Sequence, residues 1–174
     1  MKTLEVRDII IGVGAPKIIV PIVGKTKEAI IEKANSFKKI KIDVVEWRVD
    51  FYDEVFNLEN VLDTLKELRI VLDNTPILFT FRTKKEGGEK EISMEEYTAL
   101  NKAVAESGNV DLIDVEIFLG DEVVEGNIKN IHEAGVFVVG SNHDFFKTPD
   151  KDEIVTRLRK MQEMEADIPK IAVM

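Results

Sequence analysis

Hydrophobic and polar positions along this chain alternate between two rhythms. "KIIVPIVG", from Lys17, is an apolar run rich in β-branched residues, and "KTKEAIIEKANSFKKI" repeats its apolar positions at helical spacing from about Thr26. The same exchange recurs along the chain. "DVVEWRVDF" is followed by "LENVLDTLKELRIVL", "PILFTFR" by "SMEEYTALNKAVAES", "VDLIDVEIF" by "DEVVEGNIKNIHEAG", and "VFVVGSNHDF" by "DKDEIVTRLRKMQEM", before the final "PKIAVM". Strands separated by amphipathic helices predict repeated βαβ units and a parallel sheet. Ahead of them, "TLEVRDIIIGVGAPK" predicts a short hairpin covering one end of the sheet. No linker or low-complexity stretch divides the chain, so a single domain over residues 1–174 is expected.

Two parallel architectures fit this order, an open doubly wound sheet and a (β/α)8 barrel. The Gly-rich "IGVGAP" does not choose between them. It precedes the first strand of the array, whereas a dinucleotide-binding loop follows its strand and opens a helix, so a plain turn is expected there.

The strand ends carry more information. Glu46, Arg48 and Asp50 alternate along "DVVEWRVDF" and face one way, while Val45, Trp47 and Val49 face the other. A surface lying under helices is apolar, so the polar trio is expected in a barrel mouth; the competing reading is a salt-bridged edge strand. Likewise Leu78, Thr80 and Arg82 share a face, Asp114 and Glu116 share another, and "VVGSNHDF" closes on Ser141, Asn142, His143 and Asp144. Barrel enzymes build their sites at the C-terminal ends of the strands.

Composition narrows the partners. Hydrophobic residues are 44% and charged residues 33% of the 174, the balance of an ordinary globular protein. A net charge of −9 argues against nucleic acid and against anionic membrane surfaces, and it leaves any anionic ligand to a few local arginines. The absence of cysteine excludes disulfides, thiolate metal sites and a cysteine nucleophile. No apolar run is long enough to span a bilayer, and "MKTLEVRDII" lacks the features of a signal peptide, so a cytoplasmic location is expected. Neither HxH nor HExxH spacing occurs, and no metal is expected.

Individual candidates stay open on the residues alone. His143 and His132 both read equally as solvated histidines, and Glu86 in "KKEGGEK" as part of a charged loop. Lys170, between Pro169 and Ile-Ala-Val-Met, is a charge placed in an apolar strand. A lysine enclosed by apolar neighbours has its ammonium form disfavoured, which frees the amine to attack a ketone. The alternative is a stem lying along the strand with its head in water.

Taken together and in order, "PKIIVPIVG", "EWRVDF", "PILFTFRTKKEGGE", "VDLIDVEIF", "SNHDFFKTP" and "MQEMEADIPKIAVM" resemble the type I 3-dehydroquinate dehydratase family, shikimate-pathway lyases on the route to chorismate and the aromatic amino acids. The resemblance implies a TIM barrel, here an incomplete (β/α)8 barrel of about six parallel strands with an N-terminal hairpin. It implies that Lys170 forms an imine with the ketone of 3-dehydroquinate, that His143 is the general base and acid, and that Glu86 orients it. It places Glu46, Trp47, Arg48 and Arg82 at substrate-binding positions, with Asp50, Asp114 and Glu116 supporting them. It implies no metal and no organic cofactor, a small-molecule substrate, and a homo-oligomer, a dimer in the full-length family.

Family members run to roughly 250 residues, the usual size of the fold. By the resemblance, the last two strands, a further substrate-binding arginine and a serine- and glutamine-bearing closing loop are expected beyond Met174. Open sheet edges, self-association through them and reduced turnover are then expected of this chain. Two other functions remain open: another lysine-imine barrel of the aldolase type, and a non-catalytic barrel fragment.

Overall fold

A computed structural model describes residues 3–174. Its main sheet has six parallel strands in the order β3-β4-β5-β6-β7-β8: Ile19–Ile22, Val44–Arg48, Ile77–Thr80, Leu112–Glu116, Phe137–Asp144 and Ile168–Val173. Helices α1 (Lys27–Phe37), α2 (Leu58–Leu72), α3 (Met94–Glu106), α4 (Asp121–Glu133) and α5 (Lys151–Glu163) fill the successive crossovers. Each βα unit adds its strand beside the previous one, always in the same direction. A doubly wound sheet reverses its order part-way, so this winding is that of a barrel wall.

Capping marks where the helices begin. Thr26, Asn57 and Asp150 accept hydrogen bonds from the backbone N–H groups of Ala29, Asn60 and Glu153, and Ser93 with Glu96 forms a reciprocal capping box.

Alternation along the strands sorts their side chains into two layers. Val45, Trp47, Ile77, Phe79, Ile113, Val115 and Val138 face outward and pack with Leu65, Leu68, Tyr97 and Ile131 of the helices in the larger core. Val44, Leu78, Leu112 and Val139 face inward and form a second cluster with Val6, Leu4, Ile9 and Ile11. Those last residues belong to the antiparallel hairpin of β1 (Leu4–Val6) and β2 (Ile9–Ile11), which covers the N-terminal end of the sheet's inner face as expected. Positive φ values at Gly12 and Gly14 make "IGVGAP" a turn.

Two local boundaries differ from the sequence reading. The strand beginning at Val44 ends at Arg48, and Val49–Phe51 turns into a 3-10 helix. Asp50 thereby leaves the strand alternation and is wholly buried, accepting from the Glu89 N–H at 3.2 Å and the Arg82 N–H at 3.4 Å. The strand expected over "PILFTFR" stops at Thr80, so Arg82 lies in the following loop rather than ending the strand.

Candidate active site

Along the inner face, apolar side chains at the hairpin end give way to polar ones at the C-terminal strand ends. β4 contributes Glu46 and Arg48, β5 Thr80 with Arg82 just beyond, β6 Asp114 and Glu116, β7 Ser141 and His143, and β8 Lys170. Ladder register sets Ser141 beside Lys170 and His143 beside Ala172, so Lys170 and His143 lie on the same face of adjoining strands.

Arg82 is the hub of this face. Its Nη2 lies 2.8 Å from Asp114 Oδ1, and its Nη1 lies 2.9 Å from Glu116 Oε1 and 3.0 Å from Ser141 Oγ. The Ser141 hydroxyl donates to Asp114 at 2.6 Å, while Glu116 also accepts from the Thr83 N–H and hydroxyl at 2.9 and 2.7 Å. Burial opposes the charge on Arg82, but Asp114 and Glu116 outweigh it and raise its pKa above the ordinary value. Burial likewise opposes ionisation of Asp114, yet Arg82, Lys170 and Ser141 hold its pKa below the ordinary range. Glu116 goes the other way: burial pushes its pKa up, and Arg82 offsets that only in part.

Lys170 Nζ sits 3.4 Å from Asp114 Oδ2 and 3.9 Å from Glu46 Oε1, with its side chain 34% exposed. Glu46 is held in turn by the Thr80 hydroxyl at 2.8 Å. Beneath lies a cavity of about 410 Å³ lined by Leu78, Leu112, Val139, Ile168 and Lys170 among others. The apolar enclosure expected for Lys170 is therefore only its floor. Its flank is carboxylate, because the strand places Asp114 and Glu46 on the same inner face.

His143 is anchored through Glu86. Glu86 Oε2 is 3.0 Å from His143 Nδ1 and accepts the His143 backbone N–H at 3.0 Å, while Oε1 accepts from Asn142 Nδ2 at 3.1 Å. Glu86 closes a short 3-10 turn, Lys84–Glu86, followed by Gly87 in the left-handed region at φ 84°. Packing adds to the reason for glycine there: an added Cβ would lie 2.5 Å from the Phe145 ring. That ring stacks on the His143 imidazole, with centroids 6.0 Å apart and planes at 18°. Because the Glu86 carboxylate can only accept, Nδ1 carries the proton in this pair, which leaves Nε2 as the lone-pair nitrogen whenever the ring is neutral.

Most of the expected site residues converge here, with one correction. Trp47 is fully buried in the outer layer, its ring 5.6 Å from that of Phe79 and 6.0 Å from that of Tyr52, so it is a core residue and not a substrate contact. Its neighbours Glu46 and Arg48 face the mouth, and alternation forbids Trp47 from joining them. Arg82, expected at a substrate-binding position, is only 3% exposed on the inner face, with its guanidinium engaged by Asp114 and Glu116. Arg48 remains partly open, making two 2.9 Å hydrogen bonds to Asp50 and lying over the Phe51 ring.

Thr83 and Arg157 join the network without having been singled out, and so do Ser141 and Asn142, which were named only as polar strand-end residues without a role. Ser141 was legible from its two-residue spacing to His143; the other three depend on contacts between elements. His132 lies apart, 2.9 Å from Asp167 at the opposite end of β8 from the mouth. Among the described residues no group of three or more His, Asp or Glu side chains is placed to hold a metal ion. No helix among them is long and apolar enough to cross a membrane.

The family model for type I 3-dehydroquinase matches residues 18–174. The chain belongs to that family. It is 52% identical over 173 residues to the 3-dehydroquinate dehydratase of Clostridium botulinum (strain Eklund 17B / Type B), covering 99% of this chain and 68% of that protein. Among solved structures it is similar to the type I 3-dehydroquinate dehydratase of Clostridium difficile with covalently modified comenic acid. The TM-score is 0.96 at 52% identity, over 98% of this chain and 67% of that one. The Geobacillus kaustophilus HTA426 3-dehydroquinate dehydratase gives the same TM-score, 0.96, at 34% identity, over 99% and 67%. The inner-face constellation of this type I 3-dehydroquinase chain thus sits on the fold of its relatives, and the aldolase alternative is set aside.

Proposed function

We propose that this protein converts 3-dehydroquinate to 3-dehydroshikimate and water through an imine on Lys170. The amine adds to the substrate ketone and loses water, giving an iminium. That cation is an electron sink, so the neighbouring C–H becomes acidic. His143 Nε2 removes this proton; the electrons move into an enamine, and the same imidazole returns the proton to the departing hydroxyl, which leaves as water. Hydrolysis of the remaining iminium restores Lys170. No redox step arises, and the lysine itself supplies the electron sink.

Glu86 holds the imidazole in the Nδ1–H tautomer that this sequence needs. Asp114 and Glu46 flank the amine, and Arg82 keeps Asp114 ionised. Glu46 and Arg48 are the groups offered to substrate hydroxyls and carboxylate, Arg48 supplying local positive charge against a net charge of −9. The observation that carries the reading is the pairing of Lys170, flanked by Asp114 and Glu46, with a Glu86-anchored His143 on the adjoining strand.

Borohydride reduction in the presence of 3-dehydroquinate, followed by mass spectrometry, tests it. A reduced adduct on Lys170 is expected, with none in Lys170→Ala. In His143→Ala, turnover should fall about 10²–10⁴-fold while an unreduced adduct accumulates. Folded protein with no adduct would return the chain to the scaffold alternative.

The protein acts as one domain in the cytoplasm and associates with copies of itself, Ile18, Ile19 and Val23 being exposed apolar side chains in and beside β3. Light scattering that finds only monomer removes the association.

A further inference from the structure

Asn142 alternates with Ser141 and His143 on β7 and points away from the mouth, toward α5. Its amide bridges two groups of opposite charge. Arg157 Nη1, on α5, donates to Asn142 Oδ1 at 2.8 Å, and Asn142 Nδ2 donates to Glu86 Oε1 at 3.1 Å. Arg157 is itself pinned: its Nη2 bonds Glu153 one turn earlier and lies 3.6 Å from Asp144 Oδ2. Asp144 in turn accepts the backbone N–H groups of Phe146 and Lys147 at 3.2 Å, so the same arginine grips the end of β7.

We infer that Arg157 and Asn142 form a positioning relay that fixes Glu86, and through it the tautomer and orientation of His143. The polarity of the amide carries the argument. A guanidinium has donors and no acceptor, so it compels Asn142 to present oxygen to α5 and its NH₂ to Glu86. Without Arg157 the Asn142 carbonyl loses its donor and only the Glu86 carboxylate still selects the amide orientation, so Asn142 is held from one side instead of two. Glu86 receives three N–H groups: from Asn142, from the His143 backbone and from the His143 ring. Losing the first leaves Oε1 without its donor, so the carboxylate is held through Oε2 alone, by the two His143 N–H groups and by Arg82 Nη1 at 3.7 Å, and the acceptor for Nδ1 is less firmly fixed. Arg157 touches neither the mouth nor the lysine, so its effect reaches the chemistry only through the imidazole.

The inference rests on Glu86 orienting His143, and the test separates the two. The sequence holds only two histidines, so long-range ¹H–¹⁵N spectra of the rings resolve both, and His132, paired with Asp167, is an internal control. Wild type should show His143 as a single Nδ1–H tautomer when neutral. Arg157→Met and Asn142→Leu should turn it into a mixture without altering His132, and Arg157→Lys, which keeps a charged donor, should preserve most of the wild-type pattern. Turnover in Arg157→Met should fall about tenfold with KM changed by less than about twofold, the scale of losing an outer partner of a functional imidazole. Arg157→Met serves independently if Asn142→Leu disturbs β7. A wild-type His143 pattern in Arg157→Met, beside an altered one in Glu86→Gln, overturns the relay and leaves Glu86 in its role. An unaltered pattern in Glu86→Gln overturns that role and the relay with it. Equal changes at His132 and His143 mean a global disturbance and also overturn the relay.

Discussion

Replacing Gly88 with alanine places a Cβ 1.9 Å from the carbonyl oxygen of Arg82 and 2.6 Å from its carbonyl carbon. Both are backbone atoms, so no rotamer relieves the contact. Reaching even 3.0 Å, the floor for real Cβ contacts, requires a displacement of 3.0 − 1.9 = 1.1 Å. The segment that must move is tied at several points. The Gly88 N–H bonds Thr83 O at 2.9 Å, the Lys84 N–H bonds Lys90 O at 3.0 Å, and the Glu89 N–H bonds buried Asp50 at 3.2 Å. Between these ties stands Glu86, the anchor of His143. Forced overpacking of this kind costs about 1–3 kcal/mol. At about 2–4 °C per kcal/mol for a chain of this size, Gly88→Ala should melt about 2–12 °C lower. A 1 Å misplacement near the chemistry costs about 10²-fold in rate, so dehydratase turnover should fall on that order, beyond what the lost stability explains. Gly126→Ala is the control. Gly126 lies within α4, and its added methyl meets nothing within 4 Å, so relief of helical glycine should raise stability by about 0.5–1 kcal/mol with turnover unchanged. Thermal unfolding by circular dichroism and a turnover assay on both variants decide. Equal melting temperatures and turnover in Gly88→Ala and wild type would show that the loop is slack and does not hold Glu86 in place.

Two further outcomes are expected. Asp114 titrates lower in the folded chain than its ordinary 3.8, so its contribution to stability is complete above that value and is lost as the pH falls through the lowered one. Denaturant unfolding should therefore show a stability gap between wild type and Asp114→Asn that is constant from pH 7 to about 5 and narrows below about pH 4, whereas a gap that widens in acid contradicts the assignment; Glu116, shifted the opposite way, is present in both proteins and cancels to first order. Trp47→Phe should leave turnover within about twofold and cost about 1–3 kcal/mol of stability, since the ring is buried core and its Nε1 has no hydrogen-bond partner among the described residues; a large rise in KM measured in steady state would put Trp47 back in the substrate site.

Local pattern alone determined a large part of this protein. The helical spacing of "LENVLDTLKELRIVL" matches α2 residue for residue, and alternation in "DVVEWRVDF" already separated Glu46 and Arg48 from Trp47. Such features were legible because periodicity and capping act between residues a few positions apart, and because a two-residue repeat assigns faces before any partner is known. What only the tertiary structure decided is which charges meet. Arg82 reads in sequence only as a strand-end cation sharing a face with Leu78 and Thr80, and it is enclosed by Asp114 and Glu116, 32 and 34 positions away. Lys170 reads as an amine in an apolar strand and stands beside Asp114, because register sets β6, β7 and β8 side by side. Asn142 reaches Glu86 and Arg157 from opposite directions, and neither contact leaves a trace in local spacing. A side chain's period is set by its own backbone, but its electrostatic environment is set by strand order and register, which belong to the whole sheet.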